Sequence, residues 1–280
     1  MNALEIHSLT KSYPGFTLGP LDLTLPSGCI LGLIGENGAG KSTTIKLILN
    51  MLHQNGGTIT ILGKDSRENV LARQDLGVVM DEQGIPPALN ARQVGNIMKN
   101  IFRNWDMGAY VSYISALEIP EKKPFKDFSR GMKMKLGIAI ALSHHPKLLL
   151  LDEATSGLDP VVRDQVVGML EDFTRDENHT VLMSSHIVSD LERVCDYIAF
   201  LHKGKLMLYA EKDALLSQYG ILRCTREALD GLDADAIVHR KDTPYGSEAL
   251  VLRDAVPQGL EVGNVSIEEL FVLMVKEEKK

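Results

Sequence analysis

The chain has 280 residues, 44% of them apolar and 24% charged, the balance of an ordinary globular protein with room for one large domain and a smaller one. Its formal charge of −7 supplies no global basic field to draw it to nucleic acid, and the short clusters Lys122–Lys123 and Lys133–Lys135 read as solvated helix faces. Cys29, Cys195 and Cys224 are odd in number and scattered, so they read as small buried hydrophobes in a reducing compartment rather than as disulfides or zinc ligands.

No apolar stretch approaches the roughly 18–20 residues needed to span a bilayer. The opening MNALEIHSLTKSY also lacks the basic start and apolar core of a signal peptide. The expectation is a cytoplasmic chain that reaches a membrane only by docking to something else.

Residues 4–34 read as short strands, with Ile6, Leu18, Leu21, Leu23 and Leu25 alternating with polar or turn-forming residues and breaks at Pro14-Gly15 and Pro26-Ser27-Gly28. Cys29–Ile34 is an almost continuous apolar run, the pattern of a strand buried on both faces. Residues 42–52 switch to helical spacing through Ile45, Ile48, Leu49 and Leu52. Leu76–Met80 reads as a further strand. From about 90 to 145 the pattern is mainly helical, interrupted at Asn104–Asp106 and Pro120–Pro124. That stretch is too long for a simple crossover, so it predicts a helical subdomain.

Lys147–Leu151, Thr180–Ser184, Tyr197–Leu201 and Lys205–Tyr209 follow as strands, with helices over Pro160–Phe173 and Ile187–Cys195 and a hairpin turn at Lys203-Gly204. Alternating strands and helices of these lengths predict an α/β fold with a mostly parallel sheet. The last part is acid-rich and reads as a small α+β appendage, with a helix over Ile267–Val275 and Ser266 as its N-cap. The expected division is 1–215 for the main domain and 216–280 for a small accessory domain.

Gly35-Glu36-Asn37-Gly38-Ala39-Gly40-Lys41-Ser42, followed by Thr43, fits GxxxxGK[ST] between an apolar strand and an amphipathic helix. Such a loop turns successive N–H groups toward a phosphate, aided by the positive end of the helix dipole. Lys41 is assigned to the β- and γ-phosphates of ATP and Ser42 to Mg2+. The apolar strand at 147–151 ends in Asp152 and Glu153, whose side chains must diverge. Asp152 is therefore assigned to Mg2+ and Glu153 to polarising the attacking water.

With these motifs the chain resembles the ATP-binding-cassette (ABC) ATPases over about residues 1–215, which implies a P-loop cassette with an antiparallel β subdomain and a helical subdomain. Phe128-Ser129-Arg130-Gly131-Met132 resembles the family signature LSGGQ, keeping Ser129 and Gly131 and departing at the other positions. The Ser-x-Gly-Met-Lys variant is similar to that of bacterial ABC-2-like export ATPases, including bacitracin- and acetoin-type subunits. In the family this segment meets the nucleotide of an opposing protomer. Ser156-Gly157-Leu158-Asp159 resembles the D-loop, with Asp159 at the dimer interface, and His186 matches the switch histidine at the γ-phosphate. Tyr13 stands where the family stacks an aromatic on adenine. The Q-loop departs: Asp81 aligns with the expected glutamine near Mg2+, with Gln83 two residues beyond it.

The resemblance implies an ATPase subunit, binding ATP and Mg2+ and dimerising on ATP as a homodimer or as a heterodimer with another ABC ATPase. It would sit peripherally on the inner face of the cell membrane and drive a separate integral membrane permease for export. The alternative is a soluble ABC ATPase acting on ribosomes or nucleic acid. A single cassette, no heptad run and the acidic balance disfavour it, and no direct nucleic-acid contact is expected.

Overall fold

The computed structural model describes residues 1–67, 71–80, 83–243 and 246–277. The chain opens with two antiparallel strands, β1 (Asn2–Tyr13) and β2 (Phe16–Pro26), turning at Pro14-Gly15. Several short strands were the expectation; the structure has two strands of 12 and 11 residues. The irregular alternation comes from bulges, one of them around Ser8, whose φ is +46° where the register shifts between Ile6 and Leu9.

Next come β3 (Ile30–Ile34), α1 (Lys41–Ile48), β4 (Gly56–Ile61), β5 (Lys64–Asp65) and β6 (Leu76–Val79). Helix α1 is shorter than its apolar spacing predicts. Asn50 adopts the left-handed region at φ +52°, a conformation that ends a helix, so the chain turns before residue 52. Strands β4 and β5 complete an antiparallel sheet in the order β2-β1-β4-β5. The sequence-based expectations omit β4, although Thr58-Ile59-Thr60-Ile61 alternates and Ile59 and Ile61 are buried.

The helical subdomain is α2 (Ala91–Ile101), α3 (Met107–Ala116) and α4 (Arg130–Leu142). Each start carries its own signal: Asn90 forms a capping box with Gln93, Asp106 accepts the Ala109 N–H, and Ser129 accepts the Met132 N–H.

Then follow β7 (Leu148–Asp152), α5 (Pro160–Phe173), β8 (Thr180–Ser185), α6 (Val188–Val194), β9 (Tyr197–His202) and β10 (Lys205–Glu211). They build a six-stranded sheet in the order β10-β9-β3-β8-β7-β6. Every neighbouring pair is parallel except β9 with β10, a hairpin whose central residues Lys203 and Gly204 both have positive φ.

Strands β3, β7 and β8 are buried at every position, and alternate residues serve two different cores. Leu31, Leu33, Leu148, Leu150 and Leu182 pack against α1 and the antiparallel sheet. Ile30, Ile34, Leu149, Leu151, Val181 and Met183 pack with apolar residues of α4, α5 and α6. The parallel sheet is thus a middle layer. That explains why its strands read as continuous apolar runs rather than alternating ones.

The rest of the chain forms α7 (Lys212–Gln218), β11 (Tyr219–Cys224), α8 (Arg226–Asp230), β12 (Ile237–Thr243), β13 (Gly246–Leu252), β14 (Val262–Gly263) and α9 (Ile267–Glu277). The four strands make a third, antiparallel sheet ordered β12-β13-β11-β14. Ile221 and Leu250, partners across β11 and β13, join the same core as α4–α6. Leu222, Ala249 and Val251 face the other way into a small cluster with Leu229. Helix α9 begins at a Ser266–Glu269 capping box, and Phe271 meets Phe200 of β9 edge-on with ring centroids 5.2 Å apart. Each aliphatic side chain buried at that junction, Leu270 and Ile267 included, contributes about 1.5–3 kcal/mol. Among the described residues no helix is long and apolar enough to cross a membrane.

Candidate functional site

Strand β3 ends at Ile34 and helix α1 begins at Lys41, so the glycine loop is the turn between the middle layer and the helix above it. Gly40 holds φ +111°, and a Cβ there would lie 2.6 Å from Leu18 Cδ1, so only glycine lets the helix start at this point. The α1 N-terminus has no capping side chain, unlike α2, α3 and α4. Its first-turn N–H groups therefore face an outside acceptor, the arrangement an anion takes.

The loop forms one wall of a cleft of about 310 Å3 lined by Tyr13, Phe16, Glu36, Asn37, Gly38, Gly40, Lys41, Ser42, Thr43 and Glu153. Gly35 and Ala39 lie beneath it: Gly35 O accepts from Lys41 Nζ at 2.7 Å, and Ala39 is buried. Lys41 is only 5% exposed. Its ammonium also reaches Glu36 O at 3.3 Å and Glu153 Oε1 at 3.1 Å. A buried ammonium with an oxygen cage of this kind is a cation held ready for anionic ligands.

At the end of β7 the two acids diverge as strand geometry requires. Asp152 stays in the sheet, where Ser184 Oγ of β8 donates to its Oδ1 at 2.7 Å. Glu153 leaves the sheet with φ +53°, a left-handed conformation that costs a non-glycine residue about 1–2 kcal/mol. Its N–H is held by Ser184 O at 3.1 Å. The bend turns its carboxylate onto Lys41 and His186, with His186 Nδ1 2.6 Å from Oε2. Lys41 from the β3 loop, Glu153 from β7 and His186 from β8 are thereby joined in one polar chain at the cleft.

The second group of expected residues lies together elsewhere. Ser129 caps α4, and Asp159 caps α5 through the Val161 and Val162 N–H groups, with Pro160 at the first helical position. A Cβ on Gly131 would stand 3.2 Å from Gly157 O, so the start of α4 rests on the loop before α5. None of Ser129, Gly131 and Asp159 lines the cleft that holds Lys41.

Asp81 lies outside the described residues. Gln83 is engaged by the helical subdomain: its Nε2 donates to Lys133 O at 2.6 Å, and it is packed on Gly137 of α4. It does not line the cleft that holds Lys41.

Three participants escape sequence reading. Phe16 joins Tyr13 in the cleft wall, Ser184 holds Asp152, and His202 reaches the loop from the end of β9, with Nδ1 2.5 Å from Glu36 Oε1. Ser184 carried a signal, since Ser184-Ser185 are polar residues closing an apolar strand. Phe16 and His202 carried none, because their roles come from strand neighbours remote in sequence.

The oxygen donors Ser42 and Asp152 have the hardness Mg2+ requires. Among the described residues no group of three or more His, Cys, Asp or Glu side chains could hold a metal by itself.

Residues 18–156 match the ABC transporter family model. The chain is 36% identical over 217 residues to the lantibiotic transport ATP-binding protein SrtF of Streptococcus pyogenes, covering 75% of this chain and 91% of that protein. It is 36% identical over 210 residues to the bacitracin transport ATP-binding protein BcrA of Bacillus licheniformis, covering 73% of this chain and 68% of that one. A solved structure of an ATP-binding subunit of an ABC transporter superposes with a TM-score of 0.68 at 26% identity, covering 77% of this chain and 92% of that one.

Proposed function

The chain belongs to the ABC transporter family, and we propose that it is the ATP-hydrolysing subunit that drives a separate membrane-spanning permease for export. The observation that carries the catalytic part is that Glu153, in the cleft wall with Lys41, is in contact with both Lys41 and His186, three residues from different elements. The relatives' names, lantibiotic transport and bacitracin transport, support a transporter role; the molecule carried by this system is a matter for its permease.

The chemistry follows from the geometry. The α1 N-terminus and Lys41 take the β- and γ-phosphates of ATP, with Tyr13 and Phe16 flanking the cleft where the base enters. Binding must draw Lys41 from Glu153, which frees that carboxylate to accept a proton from water attacking the γ-phosphate. His186 steadies the carboxylate and adds a donor toward the phosphate. Ser42 and Asp152 would hold Mg2+, which supplies charge neutralisation on the phosphates. Ser129, Gly131 and Asp159, gathered on a different surface, would complete the nucleotide site of an opposing protomer, either a second copy or a sister ATPase. Peripheral attachment to the inner membrane face follows from the permease partner.

The test is affinity capture of the tagged chain from gently solubilised native membranes. Recovery of a stoichiometric multi-span membrane protein is expected. Recovery of only ribosomes or nucleic acid, with ATPase activity intact in the soluble fraction, would overturn the transporter reading.

A further inference from the structure

Glu36 is an awkward residue for a phosphate loop. It lines the cleft where a triphosphate would sit, and its carboxylate would repel the phosphates at close range. The structure gives that carboxylate a partner. Oε1 lies 2.5 Å from Nδ1 of His202, whose side chain is 0% exposed while that of Glu36 is 53% exposed. The buried imidazole and the cleft-lining carboxylate are thus in direct contact.

His202 is also the more firmly anchored of the two. It closes β9, and the turn after it is the floor on which the loop rests. Gly204 donates its N–H to Ala39 O at 3.0 Å and accepts from Gly19 N at 2.7 Å. On the near side, a Cβ on Gly35 would lie 2.5 Å from Leu201 O, so loop and strand end are in direct contact. With the strand end packed against the loop and its side chain fully buried, the imidazole is the less mobile partner of the half-exposed carboxylate.

We propose that His202 is a positioning residue of the phosphate loop, holding the Glu36 carboxylate against the end of β9 and out of the path of the nucleotide phosphates. It acts through Glu36 and touches no nucleotide itself. The inference rests on the assignment of residues 35–42 to ATP phosphates.

Titration of purified full-length protein with ATP, alongside steady-state hydrolysis, tests it. Failure of the wild-type chain to bind ATP overturns the phosphate-loop assignment itself. Given wild-type binding, His202→Leu is expected to weaken ATP affinity about tenfold, the scale of one unscreened charge several ångströms from the phosphates. KM rises while kcat changes little, and binding of uncharged adenosine is unaffected. His202→Asn, whose side-chain amide can stand near the Nδ1 position and donate to the carboxylate, retains ATP affinity within about twofold. The double variant His202→Leu/Glu36→Gln regains it, because the charge that needed holding is gone; a merely structural role for the imidazole leaves the double variant as weak as the single one. Should His202→Leu not fold, Glu36→Asp, a change at a half-exposed side chain that shortens the carboxylate's reach, is expected to weaken ATP binding several-fold. Unchanged ATP affinity in His202→Leu or in Glu36→Asp, or a loss that Glu36→Gln does not relieve, overturns the proposal.

Discussion

His186 Nδ1 lies 2.6 Å from Oε2 of Glu153, so the carboxylate at the end of one strand is oriented by an imidazole at the end of its neighbour. Glu153, which lines the cleft, is 17% exposed and His186 46% exposed, so the pair is reachable from solvent. Glu153→Gln is expected to bind ATP but lose roughly 100- to 10,000-fold in turnover, the span of a general base. His186→Ala should lose turnover in the same direction while ATP still binds. Single-turnover phosphate release with parallel nucleotide titration checks both, and wild-type turnover in Glu153→Gln would remove Glu153 from its role.

Lys41 shares its ammonium among Gly35 O, Glu36 O and Glu153 Oε1. Lys41→Ala should lose nucleotide affinity by about 10- to 100-fold, as expected for a charge-assisted phosphate contact of about 1.5–3 kcal/mol. Equilibrium binding of ATP is the measurement. Unchanged affinity would contradict the phosphate-loop assignment.

Ser184 ties β8 to β7 at the functional end of the sheet by donating to buried Asp152. Ser184→Ala leaves that carboxylate short of a partner and should cost about 1–3 kcal/mol of stability, read as a lower urea midpoint. With Asp152 less well held, half-maximal ATPase activity should also require more Mg2+. A variant with normal stability and normal Mg2+ dependence would separate Ser184 from the site.

His144 is 1% exposed and sits between the helical subdomain and the sheet, its ring nitrogens facing Ile140 O at 3.2 Å and Leu76 O at 3.0 Å. Burial pushes its pKa below the ordinary 6.5, against the opposite pull of the Leu76 and Ile140 carbonyls; nearby His145 lowers it further and Asp75 raises it. Below about pH 6.5 the unfolded chain therefore binds a proton that the folded chain refuses. Stability from this group is present above pH 6.5 and is lost as pH falls toward the folded pKa. Urea unfolding at pH 7.5 and 5.5 should show His144→Gln losing less stability on acidification than the wild type. An equal loss would show that His144 is not the titrating group.

Much of the local structure is legible in the sequence, and the reason is range. The caps Ser129, Asp159 and Ser266 each bond N–H groups two or three residues away, so their signals are self-contained. The continuous apolar runs at β3 and β7 mark strands covered on both faces, because a middle layer has no wet side to require polar residues. The same runs hide which face meets which layer. Only the packed molecule separates Leu148 and Leu150, under α1 and the antiparallel sheet, from Leu149 and Leu151, under the helices on the other side.

The glycine loop between strand and helix, the strand-ending acids, the helix starts and the α/β class are legible in the sequence, because all of them depend on neighbours within a turn or a strand. The tertiary structure decided what those residues meet. Strand order β9-β3-β8-β7 brings the ends of four strands side by side, and from that order come the contacts of Lys41 and His186 with Glu153, of Ser184 with Asp152 and of His202 with Glu36. It also set Gln83 against α4 and seated the C-terminal sheet on the main core through Ile221 and Leu250. Periodicity records whether a side chain faces inward; it carries no information on which distant strand lies beside it, and the chemistry of this site is made at those seams.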